Sequence, residues 1–323
     1  MERFDVMVVG AGTAGCLAAK TVADAGLDVC LIDRKREGEI GEKVCGDAVG
    51  KHHFDYLGLD CPRGEELERN VIGLRIYSPD RENMFEVKGE YLYGFIVNRR
   101  LFGQRLLKNA IDAGATLLES THALEPIIED NFVTGILAKN LKTGEKVKLL
   151  SQVVVDASGY PAVLRKKLPL EMGVEANIDL KNVMVCYREI REVKAQVAEP
   201  DYCKFYLSQE WAPGGYSWVF AEGEKKVNVG LGVAMTNNFP NPKKQLYENV
   251  LSMPLFDESS VIDAGTWYDP TRHPLDCMTG NGIVIVGDAA CQVNPISGGG
   301  IGSSMRGGAC AGETIVEAIE EGD

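Results

Sequence analysis

Three glycines near the start of the chain have the spacing of a phosphate-binding turn. Gly10, Gly12 and Gly15 follow an apolar run at residues 6–9 in the pattern G-x-G-x-x-G, and Asp33 ends a second apolar run. In a strand–turn–helix unit, such glycines allow a tight turn, leave room for a diphosphate and let the helix pack closely on the strand. A carboxylate at the end of the second strand can accept hydrogen bonds from ribose hydroxyls. These residues therefore predict a dinucleotide-binding site.

Two further turns of acidic and glycine residues follow apolar strands later in the chain. One is the DASG sequence at residues 156–159, and the other is Gly287-Asp288, which precedes the glycine run 298–300. Parallel strands present ligand-binding groups at their carboxyl ends, so we expect both turns at one edge of a sheet. The helix after residue 300 is rich in glycine, which weakens a helix by about 1 kcal/mol per residue relative to alanine. Close packing against another backbone or a flat ligand such as a flavin must compensate.

A polar, glycine-rich segment at residues 34–58 contains the sequence KVCGD, which ends at Asp47. Long irregular loops in compact domains are often functional, and Cys45 and Gly46 would then place a thiol and bare backbone beside a bound ring. The alternative, which the local sequence favours, is that Cys45 is a small buried hydrophobic residue. Arg99, at the start of a predicted helix, either reaches a phosphate or ribose or is a solvated surface charge.

Aromatic residues are concentrated between residues 202 and 220. Tyr216, Trp218 and Phe220 recur at every second position, so on a strand their rings share one face. Such a face either packs in the core of a sheet or forms the wall of a cavity for an apolar ligand. Without further context, the core interpretation is favoured.

The order of elements predicts an α/β fold with an α+β second part. Residues 14–25 and 99–113 have helical apolar spacing, whereas residues 29–32 form an apolar strand. Residues 71–97 and 115–150 have the alternation and turns of antiparallel strands. We expect a doubly wound parallel sheet with a small antiparallel meander, and an antiparallel sheet in a second, substrate-binding domain.

Composition restricts the classes of function. The 323 residues suffice for two domains, and 45% hydrophobic with 25% charged residues is typical of a soluble globular protein. No apolar run approaches the roughly 18 to 20 residues of a membrane span, and the N-terminus has no signal-peptide pattern. Nine cysteines without a C-x-x-C pair and four scattered histidines predict reduced thiols, a cytoplasmic location and no metal site. The net charge of -13 argues against nucleic acid as a partner.

The glycine and acid motifs together resemble the FAD-binding set of the p-hydroxybenzoate hydroxylase-like flavoproteins, whose order they share over nearly the whole chain. The motifs KVCGD at residues 43–47 and GYSWVF at residues 215–220 further resemble the geranylgeranyl reductase family. This resemblance implies an FAD-dependent reductase that saturates carbon–carbon double bonds of geranylgeranyl chains, in archaeal members those of ether phospholipids. Because relatives continue beyond the position of Asp323, we expect the C-terminal segment of the family to be absent.

The resemblance also assigns site residues and reverses the local interpretation of two motifs. It implies that Cys45 and Gly46 lie beside the flavin and act in catalysis, and that Arg99 contacts FAD. The residues that it implies for the substrate are Tyr206, Tyr216, Trp218 and Phe220. The residues predicted to bind FAD non-covalently are Gly10, Gly12, Ala14, Gly15, Asp33, Arg34, Cys45, Gly46, Arg99, Asp156, Gly159, Gly287, Asp288, Pro295, Gly298, Gly299, Gly300 and Ile301.

The predicted FAD-binding domain is discontinuous and comprises residues 1–70, 95–165 and 270–323. The predicted substrate-binding domain comprises residues 71–94 and 166–269. An isoprenoid lipid is the expected partner, with transient contact to the membrane surface.

The reaction implied by the resemblance needs a proton donor as well as a hydride donor. An isolated alkene has no carbonyl group to stabilise an anion, so hydride delivery must be paired with a proton. A thiol of pKa about 8.5 keeps its proton at neutral pH, so Cys45 is the candidate acid, unless it only shapes the pocket. The chain has no second G-x-G-x-x-G motif, so NAD(P)H or reduced ferredoxin is expected to donate electrons. A flavin monooxygenase and a non-catalytic protein that binds FAD or lipid are the alternatives.

Overall fold

The structure, a computed structural model, describes residues 2–322, and contacts between residues divide them into two units. The first unit comprises residues 2–42, Arg100–Ile178 and residues 270–322, and the second comprises Lys43–Arg99 and Asp179–Asp269. The predicted domain limits at residues 1 and 323 lie outside the described residues.

The described residues contain strands of three sheets and five α-helices. In chain order, the strands are β1 (Glu2–Val9), β2 (Val29–Ile32), β3 (Ala48–Gly50), β4 (Leu67–Val71), β5 (Gly73–Tyr77), β6 (Met84–Lys88), β7 (Gly94–Val97), β8 (Thr116–Leu118), β9 (Thr121–Glu129), β10 (Phe132–Asn140), β11 (Lys146–Asp156), β12 (Val183–Glu192), β13 (Tyr202–Tyr206), β14 (Ser217–Ala221), β15 (Lys226–Ala234), β16 (Ser260–Pro270), β17 (Thr279–Gly280) and β18 (Ile283–Ile285). The helices are α1 (Thr13–Asp24), α2 (Lys51–Leu57), α3 (Arg99–Asp112), α4 (Pro242–Gln245) and α5 (Ile301–Glu321).

The first unit is built on an eight-stranded sheet with both parallel and antiparallel parts. Strands β18, β11, β1, β2 and β8 lie side by side and are parallel, and β10 pairs with β11 and β9 in an antiparallel meander. Residues 6–9 of β1 are buried, as expected for a strand covered on both faces. The predicted parallel sheet with an antiparallel meander is confirmed.

Helix α5 packs on α1 through its small residues. A Cβ atom on Gly308 would collide with the backbone of Ala14, and a Cβ on Gly312 would lie 2.7 Å from the Cβ of Thr21. At these positions, the close packing expected from the glycine content is therefore packing against another helix.

The second unit contains a seven-stranded sheet in the order β16-β12-β15-β14-β13-β5-β6, and a three-stranded antiparallel sheet in the order β3-β7-β4. Strands β12 to β15 are paired antiparallel, whereas β13 and β5 are parallel. One face of β14 and β15 packs in a hydrophobic core that includes Val219 and Val229. The other face carries Trp218 and Phe220, which pack with Val71 and Ile96 from the three-stranded sheet.

The segment at residues 34–58 has more regular structure than its sequence suggested. Its second half forms β3 and helix α2, which ends at Gly58 with φ 61°. Only Phe54 of α2 is buried, so the sequence of this helix shows no helical periodicity of apolar residues.

The contact-defined units differ from the predicted domains in three stretches. Residues 43–70 and 95–99 fall in the second unit because β3 and β4 both pair with β7. Residues 166–178 fall in the first unit because Leu168 and Met172 pack in its core.

None of the helices within residues 2–322 combines the length and apolar character that crossing a membrane requires.

Candidate active site

The turn between β1 and α1 has the geometry of a phosphate-binding turn. Gly10 has φ +104°, and a Cβ there would lie 2.5 Å from the carbonyl oxygen of Ala157. A Cβ on Gly15 would collide with the carbonyl oxygen of Gly10, whereas a Cβ on Gly12 would meet nothing within 4 Å. Helix α1 begins without a side-chain cap and without an acidic residue in its first turn. Its first N–H groups and the open space at Gly12 therefore fit the diphosphate of a dinucleotide.

Asp33 is tied to this turn by hydrogen bonds from the backbone. Ala11 N donates to Asp33 Oδ2 at 2.8 Å, and Lys35 N donates to Asp33 Oδ1 at 2.8 Å. The carboxylate is partly exposed and retains lone pairs for further donors, and Arg34 beside it is exposed. Both residues thus lie at the edge of the turn, as a role in ribose binding requires.

Asp156 has a different surrounding from Asp33. It is 0% exposed, and its carboxylate accepts hydrogen bonds from Ser158 Oγ at 2.5 Å, Leu164 N at 3.1 Å and Arg165 N at 2.8 Å. These bonds hold the loop that carries Gly159 in its left-handed conformation, with φ 75°. The carboxylate of Asp156 therefore fixes the conformation of this loop.

The third turn adjoins the first within the same unit. A Cβ on Gly287 would lie 3.1 Å from the Cβ of Ala14, and Val286 N donates to the carbonyl oxygen of Asp156 at 3.1 Å. Asp288 is 8% exposed, and a Cβ on Gly300 would lie 3.6 Å from its Oδ1. The three turns predicted from separate parts of the sequence are thus brought together at one edge of the parallel sheet.

An exposed turn joins Asp288 to helix α5. Asn294 Oδ1 accepts hydrogen bonds from Ile296 N at 2.9 Å and Ser297 N at 3.0 Å, and Gly298 has φ 66°. Pro295 and Gly299 are exposed in this turn, whereas Ile301 is buried in the first turn of the helix. Helix α5 also begins without a side-chain cap or a first-turn acid, so its N–H groups are available to an acceptor.

The second unit holds an aromatic face on β13 and β14. The ring centroids of Tyr216 and Trp218 are 6.1 Å apart, and Phe205 lies 5.1 Å from Tyr216 and 5.3 Å from Phe220 in edge-to-face arrangements. Trp218 lies over Gly230 of β15, where any side chain would collide with its ring. The predicted shared face of Tyr216, Trp218 and Phe220 is present.

Tyr206 is not part of this face. Because side chains alternate along β13, Tyr206 points to the opposite side of the sheet from Phe205. There it packs against the hydrophobic core that includes Val219 and Val229, and it stacks on Tyr77 with ring centroids 4.8 Å apart. The structure therefore separates Tyr206 from the other residues predicted to bind substrate.

The loop of Cys45 and Gly46 lies against the aromatic face. A Cβ on Gly46 would be 3.0 Å from Phe220 Cε2 and 3.5 Å from Trp218 Nε1, so bare backbone at Gly46 lets the loop approach the rings. Asn228, on β15, fixes the loop by donating from Nδ2 to the carbonyl oxygen of Cys45 at 2.9 Å. Trp218 Nε1 in turn donates to Asn228 Oδ1 at 2.8 Å.

Charged groups around this loop control the proton of Cys45. Burial, and next the Asp47 carboxylate, raise the pKa of the Cys45 thiol to about 11, although the positive charges of Arg99 and Lys43 oppose this shift. The thiol therefore keeps its proton at neutral pH. Arg99 begins helix α3, and its charge acts on both Cys45 and Asp47.

Sequence reasoning missed Asn228, Glu222 and the burial of Asp47. Asn228 Nδ2 also lies within hydrogen-bond distance of Asp47 Oδ2 at 3.0 Å and Glu222 Oε1 at 3.2 Å, so its two N–H groups serve three acceptors. A signal existed, because Asn228 is a single amide between the buried valines 227 and 229 of a strand. Asp47 belongs to the KVCGD motif, but nothing in the local sequence indicates that its side chain is buried.

Comparisons with known proteins identify the family. A model described as geranylgeranyl reductase catalytic domain matches residues 182–266. A model described as lycopene cyclase protein matches residues 5–202, so the chain is also a member of that wider group. A digeranylgeranylglycerophospholipid reductase of Sulfolobus acidocaldarius is 42% identical over 99% of this chain and 71% of its own length. The chain belongs to the geranylgeranyl reductase family. The resemblance predicted from its motifs is confirmed.

Solved structures agree with this membership. A geranylgeranyl bacteriochlorophyll reductase-like protein from Thermoplasma acidophilum matches with a TM-score of 0.91 and 29% identity, covering 100% of this chain and 80% of the other. A flavin-dependent brominase variant matches with a TM-score of 0.81 over 99% of this chain and 81% of the other, but at 19% identity it shows the fold alone. This member of the geranylgeranyl reductase family is an FAD-dependent oxidoreductase.

Proposed function

We propose that this geranylgeranyl reductase family member saturates carbon–carbon double bonds of geranylgeranyl chains, and that its substrates are archaeal-type ether phospholipids. The observation that carries the proposal is the aromatic face of Tyr216, Trp218 and Phe220 with the Cys45 loop packed against it. An apolar face beside a protonated thiol suits a substrate that has no polar group near its reacting carbons. The name of the Sulfolobus acidocaldarius relative gives the substrate class.

FAD is the group that the first unit is built to hold. We propose that Gly10, Gly12 and Gly15 hold the diphosphate, that Asp33 binds a ribose hydroxyl and that Asp288 accepts from the ribityl chain. Asp156 acts through the loop that presents Gly159. Reduced FAD supplies a hydride when it is bound. The assignment of Cys45, Gly46 and Arg99 to the cofactor stays a prediction from the family resemblance.

The residues of the second unit supply the proton and the apolar surroundings. Cys45 holds the proton at Sγ, because the raised pKa of its thiol leaves it protonated at neutral pH. Tyr216, Trp218 and Phe220 orient an alkene by ring contacts and exclude water from it. Transfer of the Sγ proton to one alkene carbon complements hydride addition at the other carbon, so that no free anion has to form.

The electron donor and the membrane contact belong to the same proposal. We expect NAD(P)H or a reduced ferredoxin to reduce the enzyme, and we expect a peripheral contact with the membrane surface to deliver the lipid. Dithionite replaces the donor in the first experiment, so that the outcome does not depend on its identity.

The experiment is anaerobic turnover of a defined lipid. The purified protein should have the visible spectrum of an oxidised flavin, which dithionite bleaches. Incubation with a digeranylgeranyl glycerophospholipid should then add two hydrogens for each saturated double bond, detected by mass spectrometry. A flavin-loaded, fully reduced protein that leaves the lipid mass unchanged would refute the proposal. Oxygen-dependent appearance of a hydroxylated product would identify a monooxygenase instead.

A further inference from the structure

Asp47 occupies a buried and conformationally restricted position beside Cys45. Its side chain is 4% exposed, and its backbone has φ 61°, in the left-handed region that asparagine and aspartate tolerate better than most residues. Asp47 N donates to Cys45 Sγ at 3.3 Å, and Val97 N donates to the carbonyl oxygen of Asp47 at 3.0 Å. One short turn therefore joins the thiol of Cys45 to the backbone of Asp47.

The two oxygens of the Asp47 carboxyl group have different surroundings. Oδ2 accepts a hydrogen bond from Asn228 Nδ2 at 3.0 Å. Oδ1 is buried and has no hydrogen-bond partner among the described residues. A buried carboxylate oxygen without a donor is costly, and a proton on the carboxyl group removes most of that cost. The geometry thus favours the acid form of Asp47.

Three charged residues of the second unit act on Asp47, namely Glu222, Arg188 and Arg99. Burial and then the negative charge of Glu222 raise the pKa of Asp47 to about 8, whereas Arg188, Arg99 and a hydrogen bond from Cys45 act in the opposite direction. Glu222 is itself buried, and its pKa is raised by burial although Lys226 lies 3.1 Å away. Asn228 donates to both acids through Nδ2 and has no titratable proton of its own. Asp47, two residues from Cys45, is therefore an acid that carries a proton at neutral pH.

We propose that Asp47 holds the proton that restores the Cys45 thiol after each reduction. This inference rests on the proposed function. The Cys45 S–H bond breaks as its proton goes to the substrate carbon, and the thiolate keeps the electron pair. The Asp47 O–H bond then breaks and a new S–H bond forms, which leaves a carboxylate that takes a proton from water. Asp47 acts through Cys45 and does not touch the substrate.

The direction of this transfer follows from the two side chains. The pKa of Cys45 is raised to about 11 and that of Asp47 to about 8, so the thiolate is the stronger base and takes the proton. Arg188 and Arg99 stabilise the carboxylate that remains.

The first test measures the thiol itself and needs no turnover. Cys45 in the FAD-loaded protein is alkylated with iodoacetamide over a pH series, and its peptide is quantified by mass spectrometry. Asp47→Asn removes the negative charge that raises the Cys45 pKa, so the alkylation midpoint should move down by about one pH unit or more. An unchanged midpoint would overturn the inference.

Asp130→Asn is the matched control for this substitution. Asp130 also has a left-handed backbone, with φ 48°, but it lies in an exposed hairpin turn. The same chemical change there should leave the Cys45 midpoint at the wild-type value. Asparagine keeps an acceptor for Asn228 at position 47, so thermal melting should show a folded Asp47→Asn protein.

The second test is the pH profile of lipid reduction at saturating substrate. The wild-type kcat should fall as pH rises through about 8, because Asp47 then loses its proton. Asp47→Asn should lower kcat about 10-fold or more and abolish this fall. Glu222→Gln should move the fall to lower pH, because it removes a charge that raises the Asp47 pKa. A fall that persists unchanged in Asp47→Asn would overturn the inference.

Failure of the inference and failure of the proposed function give different results. Wild-type protein that does not reduce the lipid refutes the function, and the alkylation midpoint still decides whether Asp47 controls the Cys45 proton. Wild-type protein that reduces the lipid, with the same pH profile in Asp47→Asn, refutes the inference alone.

Discussion

The glycine turns of the first unit and the aromatic face of the second unit use glycine for different purposes. Gly10 and Gly15 make room for backbone atoms, namely the carbonyl oxygens of Ala157 and Gly10. Gly46 and Gly230 make room for the rings of Phe220 and Trp218. A ligand at the glycine turns would therefore meet N–H groups, whereas a ligand at the aromatic face would meet ring edges and a thiol.

The two regions also differ in how their acids are held. Asp33 is partly exposed, and its carboxylate accepts hydrogen bonds from two backbone N–H groups. Asp47 is buried, and its Oδ1 has no hydrogen-bond partner within residues 2–322, an arrangement that favours the neutral acid. The two aspartates thus differ in burial and in the donors that their carboxyl groups receive, which is the basis of the different roles proposed for them.

The largest effect on stability and flavin binding is expected at Gly15, a glycine of the first region that packs against backbone. Gly15→Ala places a methyl group against the Gly10 carbonyl oxygen, so we expect a loss of about 3 kcal/mol or more in the free energy of unfolding, and no bound flavin. Urea unfolding and the ratio of flavin to protein absorbance measure these effects.

Gly12→Ala is the control, because a Cβ there meets no protein atom within 4 Å. It should fold as stably as wild type within about 1 kcal/mol and lose only flavin affinity. Equal destabilisation by both substitutions would contradict the distinction between a packing glycine and a ligand-facing glycine.

The next effect tests whether the thiol of the second region performs chemistry or only fills space. Cys45→Ala should lower lipid reduction about 100-fold or more, because it removes the proton donor, while the bound flavin content stays at the wild-type level. Single-turnover reoxidation of the reduced flavin by lipid measures the chemical step. Cys310→Ser, at an exposed position of α5, is the control and should react at the wild-type rate. Undiminished reduction by Cys45→Ala would leave the thiol with a shaping role only.

The smallest effect tests the two faces of the seven-stranded sheet. Phe220→Leu should raise KM for the lipid about 5-fold, through lost ring contacts on the aromatic face. Tyr206→Leu should leave KM within about twofold, because Tyr206 lies on the opposite face and stacks on Tyr77. Steady-state kinetics of the two matched variants decide the point. An equal rise in KM for both would show that Tyr206 contributes to substrate binding despite its position.

Much of the fold could be predicted because its signals are local. The spacing of Gly10, Gly12 and Gly15 after an apolar run specifies strand, turn and helix within one short stretch, and β2 has the predicted bounds Val29–Ile32. The alternation of Tyr216, Trp218 and Phe220 specifies a shared face as soon as the segment is a strand. Helix α2 was not predicted, because a single buried residue, Phe54, does not produce a helical pattern of apolar residues.

The sequence by itself determined which residues could form a dinucleotide turn and which rings share a face, because both follow from the geometry of neighbouring residues. Only the tertiary structure decided the surroundings of the carboxyl groups. Asn228 lies 181 residues from Asp47 in the chain, yet its amide donates to that carboxyl group, and the backbone N–H of Ala11, 22 residues from Asp33, donates to the Asp33 carboxylate. The burial and the donors of each carboxyl group depend on residues that folding brings together from distant parts of the chain.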